Sequence, residues 1–330
     1  MTDAATHTGV DLRVATDFQA AVPGDGGWDA LVAGAPDLVF LTSEWQRQWW
    51  DSFGRGQLLL VVAERRGEAV AIAPLYADEG MLFLVGSGGS DYLDFIGAPD
   101  AELLGMMLEQ ARRRVDDFAG IGLYHLPVES STTPLLPDVA ARLGLELHRE
   151  DTIGGPYIEL PDADAVTRFC GRRKVRKEEA RMRRAGALRV RSASGAELDE
   201  WVDLLLAQHS ARWRPLGVKG FEGEDASAFC RAIVHAGHRG GWLRFTMLEW
   251  RGAPAAFEIT LIRGSRHLSY LVSRDPAIRS YSPGKVLEAH VVREAFEAGA
   301  RCFDLGMGEE QHKLHSASGV RSVANWFLYP

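Results

Sequence analysis

Cysteine is scarce in this chain: Cys170, Cys230 and Cys302 stand far apart and form no CxxC or comparable spacing. That excludes a disulfide framework and a cysteine-based zinc site, and the three read as packing residues. Long hydrophobic runs are missing too. The longest strongly aliphatic stretch, Leu58 to Val62, has the length of a buried strand, whereas a membrane-crossing helix needs about 20 apolar residues. The chain opens MTDAATHTGVD, without a basic segment followed by an apolar one, so a cytoplasmic protein with no membrane span is the expectation. Positive charge is not in excess: 37 Lys and Arg against 45 Asp and Glu give a formal net charge of -8, which disfavours a nucleic-acid binder for the chain as a whole. One segment runs against that total, Arg172 to Arg184, reading RRKVRKEEARMRR. No short-period repeat is present, which excludes solenoids and propellers.

What is there is an ordinary globular composition, 46% hydrophobic and 25% charged, spread over 330 residues. Two domains of about 150 residues each follow from that length. In the first half, Thr42 or Ser43 caps a helix carrying Trp45, Trp49 and Trp50 and ending before Gly54. Two strand-like runs joined at Arg66-Gly67 come next, then strands over 81–85 and 92–96, a helix over 101–118, and strands over 121–126 and 157–160. The second half reads as a strand at 188–191, helices over 198–212 and 226–236, and a three-stranded meander over 243–273 with turns at Arg251-Gly252 and Gly264-Ser265. A helix over 283–298 closed by Gly299, a strand over 301–305 and a last strand over 323–328 complete it. The fold class expected is mixed α/β (α+β). The boundaries expected are a first domain over 1–160, a basic linker helix over 161–187 and a second domain over 188–330.

The segment richest in chemistry is Arg279-Ser280-Tyr281-Ser282-Pro283-Gly284-Lys285, between a strand and an amphipathic helix. Ser282 is a favoured N-cap, Pro283 suits the first helical position, and Gly284 lets a ligand approach the backbone. Free amide hydrogens and the positive end of the helix dipole then make an anion site, to which Arg279 and Lys285 add full charges. A diphosphate would fit there. Taken alone, Ser-Pro-Gly also starts helices that bind nothing.

The order meander, loop, helix, strand resembles the core of GNAT acyltransferases, which carry Arg/Gln-x-x-Gly-x-Gly/Ala at this place for the diphosphate of coenzyme A. Arg279-x-x-Ser282-x-Gly284 is similar, with serine for the first glycine. The whole chain looks like the CelD-like branch related to FemAB transferases, in which two GNAT-like domains stand in tandem. The marks are FLTSEWQRQWWDSF at 40–53, Ala73-Pro74-Leu75, Ser90 to Phe95, the basic helix, Tyr281 to Gly284, and Phe303 to Gly308 followed by Lys313.

That resemblance implies transfer of an acyl group from acetyl- or another acyl-coenzyme A, without a metal, to an amine within a ternary complex. Leu271 and Val272 on the third meander strand are then donor contacts beside Arg279, Ser282, Gly284 and Lys285. A carrier-protein thioester or charged transfer RNA are the alternative donors, and a catalytically silent GNAT-fold interaction module is the alternative from another class. For the base, Glu258 and Asp304 are the candidates, each with a structural alternative in an ion pair or loop cap. For the acid, the family's tyrosine before Lys313 is replaced by His312, so His312, Tyr281 or Tyr270 must protonate the leaving group. Asp91, Tyr92 and Lys313 are the expected acceptor contacts. The HxxH pairs His312/His315 and His235/His238 lack a third ligand in range and read as incidental. The basic helix reads either as a solvated, internally paired surface, because Glu178 and Glu179 interleave with its cations, or as a contact for the 3'-phosphate of coenzyme A, an acidic carrier protein or transfer RNA.

Overall fold

The computed structural model describes residues 9–22, 25–33, 39–214 and 223–330. They divide into two units: one runs from the chain start to Gly154 and takes in Arg321–Pro330, the other is Gly155–Val320.

In the first unit, strands β1 (Asp11–Ala15), β2 (Gln57–Arg65), β3 (Glu68–Asp78) and β4 (Met81–Leu84) pair antiparallel in sequence order. The chain then crosses through the helix Ala101–Arg112 to β5 (Gly120–Pro127), which lies parallel to β4. Such a parallel return needs a crossover helix, and Leu104, Met107, Leu108 and Ala111 bury its inner face. The helix Ser43–Phe53 is capped by Thr42, whose hydroxyl accepts from the Trp45 N–H at 3.3 Å. Trp45 and Trp49 are buried in the core.

The second unit repeats that plan. β7 (Leu188–Ser192), β8 (Leu243–Trp250), β9 (Ala253–Arg263) and β10 (Arg266–Arg274) are antiparallel neighbours. The helix Pro283–Glu297 then leads to β11 (Cys302–Asp304), parallel to β10. Val286, Leu287, Val291 and Val292 of that helix sit in one core with Phe303, Met182, Leu248 and Trp250.

The units differ from the expected domains in three ways. The division falls inside a single long strand, β6 (Glu146–Glu159), whose last residues pair antiparallel with β11. The final strand, β12 (Gly319–Tyr329), turns back and pairs with β5, so Arg321–Pro330 belongs to the first unit. The basic helix Arg173–Ala185 is no linker but part of the second unit, with Val175, Glu178 and Met182 buried and the Met182 carbonyl accepting from the Trp250 indole at 2.9 Å. The strand expected over 92–96 reduces to one antiparallel bridge, Ile72 with Ile96.

Candidate active site

β10 carries a bulge against β9 between Ser269 and Leu271, and its pairing with β11 stops at Leu268 opposite Asp304. Beyond that point β10 runs on to Arg274 while β11 has ended. A bulge bends and twists its strand, so the two strands part here. A cavity of about 330 Å³ fills the space. β9 contributes Phe257 and Glu258, β10 contributes Ser269 to Arg274, and the following helix contributes Gly284, Lys285, Leu287 and Glu288. The helix Leu198–Trp213 adds His209 and Arg212, and the segment after β11 adds Leu305, Glu310, His312 and Lys313.

The helix start is formed by a short 3-10 turn, Pro276–Tyr281, and then Ser282 at φ 50° and ψ 49°. This is the left-handed region, which suits the glycine found here in the family pattern better than serine. Ser282 caps with its main chain, not its hydroxyl: its carbonyl accepts from the N–H groups of Lys285 at 3.0 Å and Val286 at 3.4 Å. Two of the amide hydrogens expected for an anion are thus taken. Pro283 has none, which leaves the Gly284 N–H as the first-turn donor without a main-chain acceptor among the described residues. A Cβ added at Gly284 would meet nothing within 4 Å, and Gly284 lines the cavity.

The charges around the cavity press on one another. Burial, and then the neighbouring Arg274, lowers the pKa of Arg212. Burial, and then Lys174 and Arg172, does the same to Lys285. Glu310 opposes the shift of Arg212 and Glu288 that of Lys285, so both signs of charge meet around the cavity. Glu258 is 2% exposed, its Oε1 has no hydrogen-bond partner among the described residues, and burial together with the charge of Glu288 pushes its pKa up to about 8 against a hydrogen bond from Ser269. Burial lowers the pKa of His312, with Arg212, Lys313 and Lys285 adding to the effect against Glu310, so its imidazole is neutral at pH 7.

The expected site residues separate accordingly. Glu258, Leu271, Val272, Gly284, Lys285, His312 and Lys313 line one cavity. Lys313 is held by the Met307 carbonyl at 2.6 Å and Glu310 at 3.1 Å. Asp304 is not in it: fully buried, it accepts from the Gly306 N–H at 2.9 Å and lies 3.7 Å from the Arg266 guanidinium, the structural alternative foreseen for it. Tyr281 is packed against Trp250, ring centroids 4.8 Å apart, under the Arg181 guanidinium and outside the cavity lining, which takes in Tyr270 at the bulge. Arg279 sits exposed on the 3-10 turn, outside the lining. Asp91 and Tyr92 belong to the first unit, where Tyr92 is 3% exposed beside Phe40 and so cannot meet an acceptor with its ring. Glu288, Arg212, Arg274 and His209 escaped notice. For Glu288 the signal existed: positions 284, 285 and 288 share one helical face.

Residues 171–314 match the acetyltransferase (GNAT) domain family. The fold is of the GNAT and FemAB type. FemX is similar over 93% of this chain and 96% of its own, at 13% identity and a TM-score of 0.65. A conserved protein of unknown function from Bacteroides thetaiotaomicron is similar over 97% of this chain and 100% of its own, at 12% identity and a TM-score of 0.62. L-PGS from Bacillus licheniformis is similar over 93% and 91%, at 13% identity and a TM-score of 0.56. No curated protein sequence matches the chain. The GNAT match includes the basic helix, in keeping with its place in the second unit. No helix among the described residues is long and apolar enough to cross a membrane.

Proposed function

We propose that the second unit is an N-acyltransferase that takes an acyl group from acetyl- or another acyl-coenzyme A and passes it to an amine by direct attack. The observation that carries this is the cavity where β10 leaves β11, which joins an accessible helix start at Gly284 to a buried carboxylate at Glu258. The Gly284 N–H, Lys285, Arg212 and Arg274 bind the donor's phosphates, and Leu271 and Val272 flank the arm that carries the thioester. Glu258, once ionised, takes the proton of the attacking amine. The amine nitrogen bonds to the thioester carbonyl carbon, the carbon–sulfur bond breaks, and the thiolate leaves with a proton from Tyr270 or from solvent.

Among its described residues the first unit offers no matching anchor for the donor. At the corresponding helix start its own Asp100 caps the Leu103 N–H at 2.9 Å and Glu102 adds negative charge to the first turn, which disfavours a phosphate there. The first unit is the acceptor-side or structural partner. An acidic carrier protein or charged transfer RNA as donor is a second reading, favoured by the exposed Arg173, Lys174, Arg176 and Lys177 on the basic helix, Lys174 being the one that acts on Lys285. The cavity-lining Gly284 and Glu258 speak against a silent module.

Mass spectrometry of reactions pairing acetyl-, longer acyl-coenzyme A or acyl carrier protein with a panel of amines tests the proposal. Amide product from a thioester supports it. Product only from charged transfer RNA, or from no donor at all with folded protein, overturns it.

A further inference from the structure

The cavity contains two carboxylates with unfinished bonding. Glu258 and Glu288 each present a buried Oε1 without a hydrogen-bond partner among the described residues, and both line the same space. They stand close enough for the charge of Glu288 to act on Glu258. Glu288 already has cations beside it, the Arg172 guanidinium at 4.0 Å and Lys285 one helical turn back, and Ser316 also bonds it. Among the described residues Glu258 has no cation within salt-bridge distance; Ser269 hydrogen-bonds to it, and Val272 and Thr246 stand across from it in the sheet register. A buried oxygen left unbonded is destabilising, and more so where it is charged, so the folded protein gains from a ligand that donates to both. Phe257, Leu271 and Leu287 supply apolar walls beside them.

We propose that Glu258 and Glu288 form a subsite for the ammonium group of a primary amine whose short aliphatic stem lies on Phe257, Leu271 and Leu287. An ammonium has three donors and a compact charge, which serves two carboxylate oxygens and leaves one hydrogen free. This rests on the acyltransferase reading for its meaning, because the bound amine is then the acceptor. Glu288 positions and selects; Glu258 is the group that receives the proton. The site is proton-linked. Before the amine arrives Glu258 holds its proton at neutral pH, and a cation beside it expels that proton to solvent. The ammonium then passes its own proton to the carboxylate as it becomes the nucleophile, and the count of protons balances. The other charges that face the cavity are Arg212 and His209 from the helix Leu198–Trp213, Arg274 from β10, and Glu310, His312 and Lys313 from the segment after β11. Of these, His312 stays neutral above its lowered pKa.

Calorimetry on the full chain with n-butylamine and with n-butanol, from pH 6 to pH 9 and in two buffers of different ionisation enthalpy, tests this. Butylammonium stays protonated through this range, as lysine does with a pKa of about 10.4. Butylamine is expected to bind at least about tenfold tighter than butanol at pH 8, to weaken about tenfold for each pH unit below 8, and to release about one proton on binding at pH 7. Glu258→Gln removes the pH dependence and the proton release. Glu288→Gln weakens butylamine about tenfold, and circular dichroism establishes that both variants fold. Equal affinity for amine and alcohol, or no effect of Glu288→Gln, overturns the subsite while coenzyme A binding, titrated separately, leaves the donor assignment standing. The expected amine behaviour without any coenzyme A binding overturns the donor assignment and upholds the subsite.

Discussion

Replacing Glu258 by glutamine should make the protein more stable at high pH and leave it nearly unchanged at low pH. The carboxyl is 2% exposed, and its pKa stands at about 8 instead of 4.5 because burial, aided by Glu288, disfavours the charge. The folded state therefore prefers the protonated form. Stability from that preference is fully present below pH 4.5, falls as pH rises, and is gone above about 8. At about 1.4 kcal/mol per unit, the whole loss is about 5 kcal/mol, a large share of a typical folding free energy. Glutamine is close in shape to the protonated acid and does not titrate. Urea denaturation of wild type and Glu258→Gln at pH 5, 7 and 9 gives the difference directly, with other titrating groups cancelling between the two. Wild type should lose several kcal/mol relative to the variant between pH 5 and pH 9. A difference that stays constant with pH would refute the reasoning, since it would mean that Glu258 ionises as freely in the folded chain as in the unfolded one.

Ser282→Gly should stabilise the protein by about 0.5–1 kcal/mol in thermal or chemical unfolding, because the residue holds φ 50° and only glycine adopts that conformation without strain. Asp304→Asn should cost about 3 kcal/mol in the same assay, because it strips the buried Arg266 of its counter-charge, while the folded variant keeps its coenzyme A affinity.

Local chemistry made much of this legible. The Ser-Pro-Gly helix start, the Thr42 cap and the turn at Arg251-Gly252 depend on neighbours in sequence, and the GNAT-like order of strands and helix around Gly284 followed from them. The strand memberships did not, because β6 and β12 take their partners from residues far away in the chain. The fate of Asp304 was equally hidden: its carboxylate looks like a base until β10 brings Arg266 beside it. Tyr281 looked free because nothing in sequence says that Trp250 and Arg181 close over its ring. Ser282 was expected to cap with its side chain, and the left-handed backbone that turns its carbonyl inward is a property of the whole turn. Glu288 was within reach, one turn beyond Gly284, but a glutamate in a mid-helix position ordinarily reads as solvent-facing.

The central claim is that the opening at Gly284 receives the donor's phosphates. Calorimetric titration of coenzyme A against wild type, Gly284→Ala and Gly284→Glu tests it most directly, since a Cβ there meets nothing within 4 Å. The account predicts that the glutamate variant folds and loses at least about a hundredfold in affinity, as bulk and negative charge meet the phosphates, and that the alanine variant loses far less. Unchanged affinity in folded Gly284→Glu would contradict it.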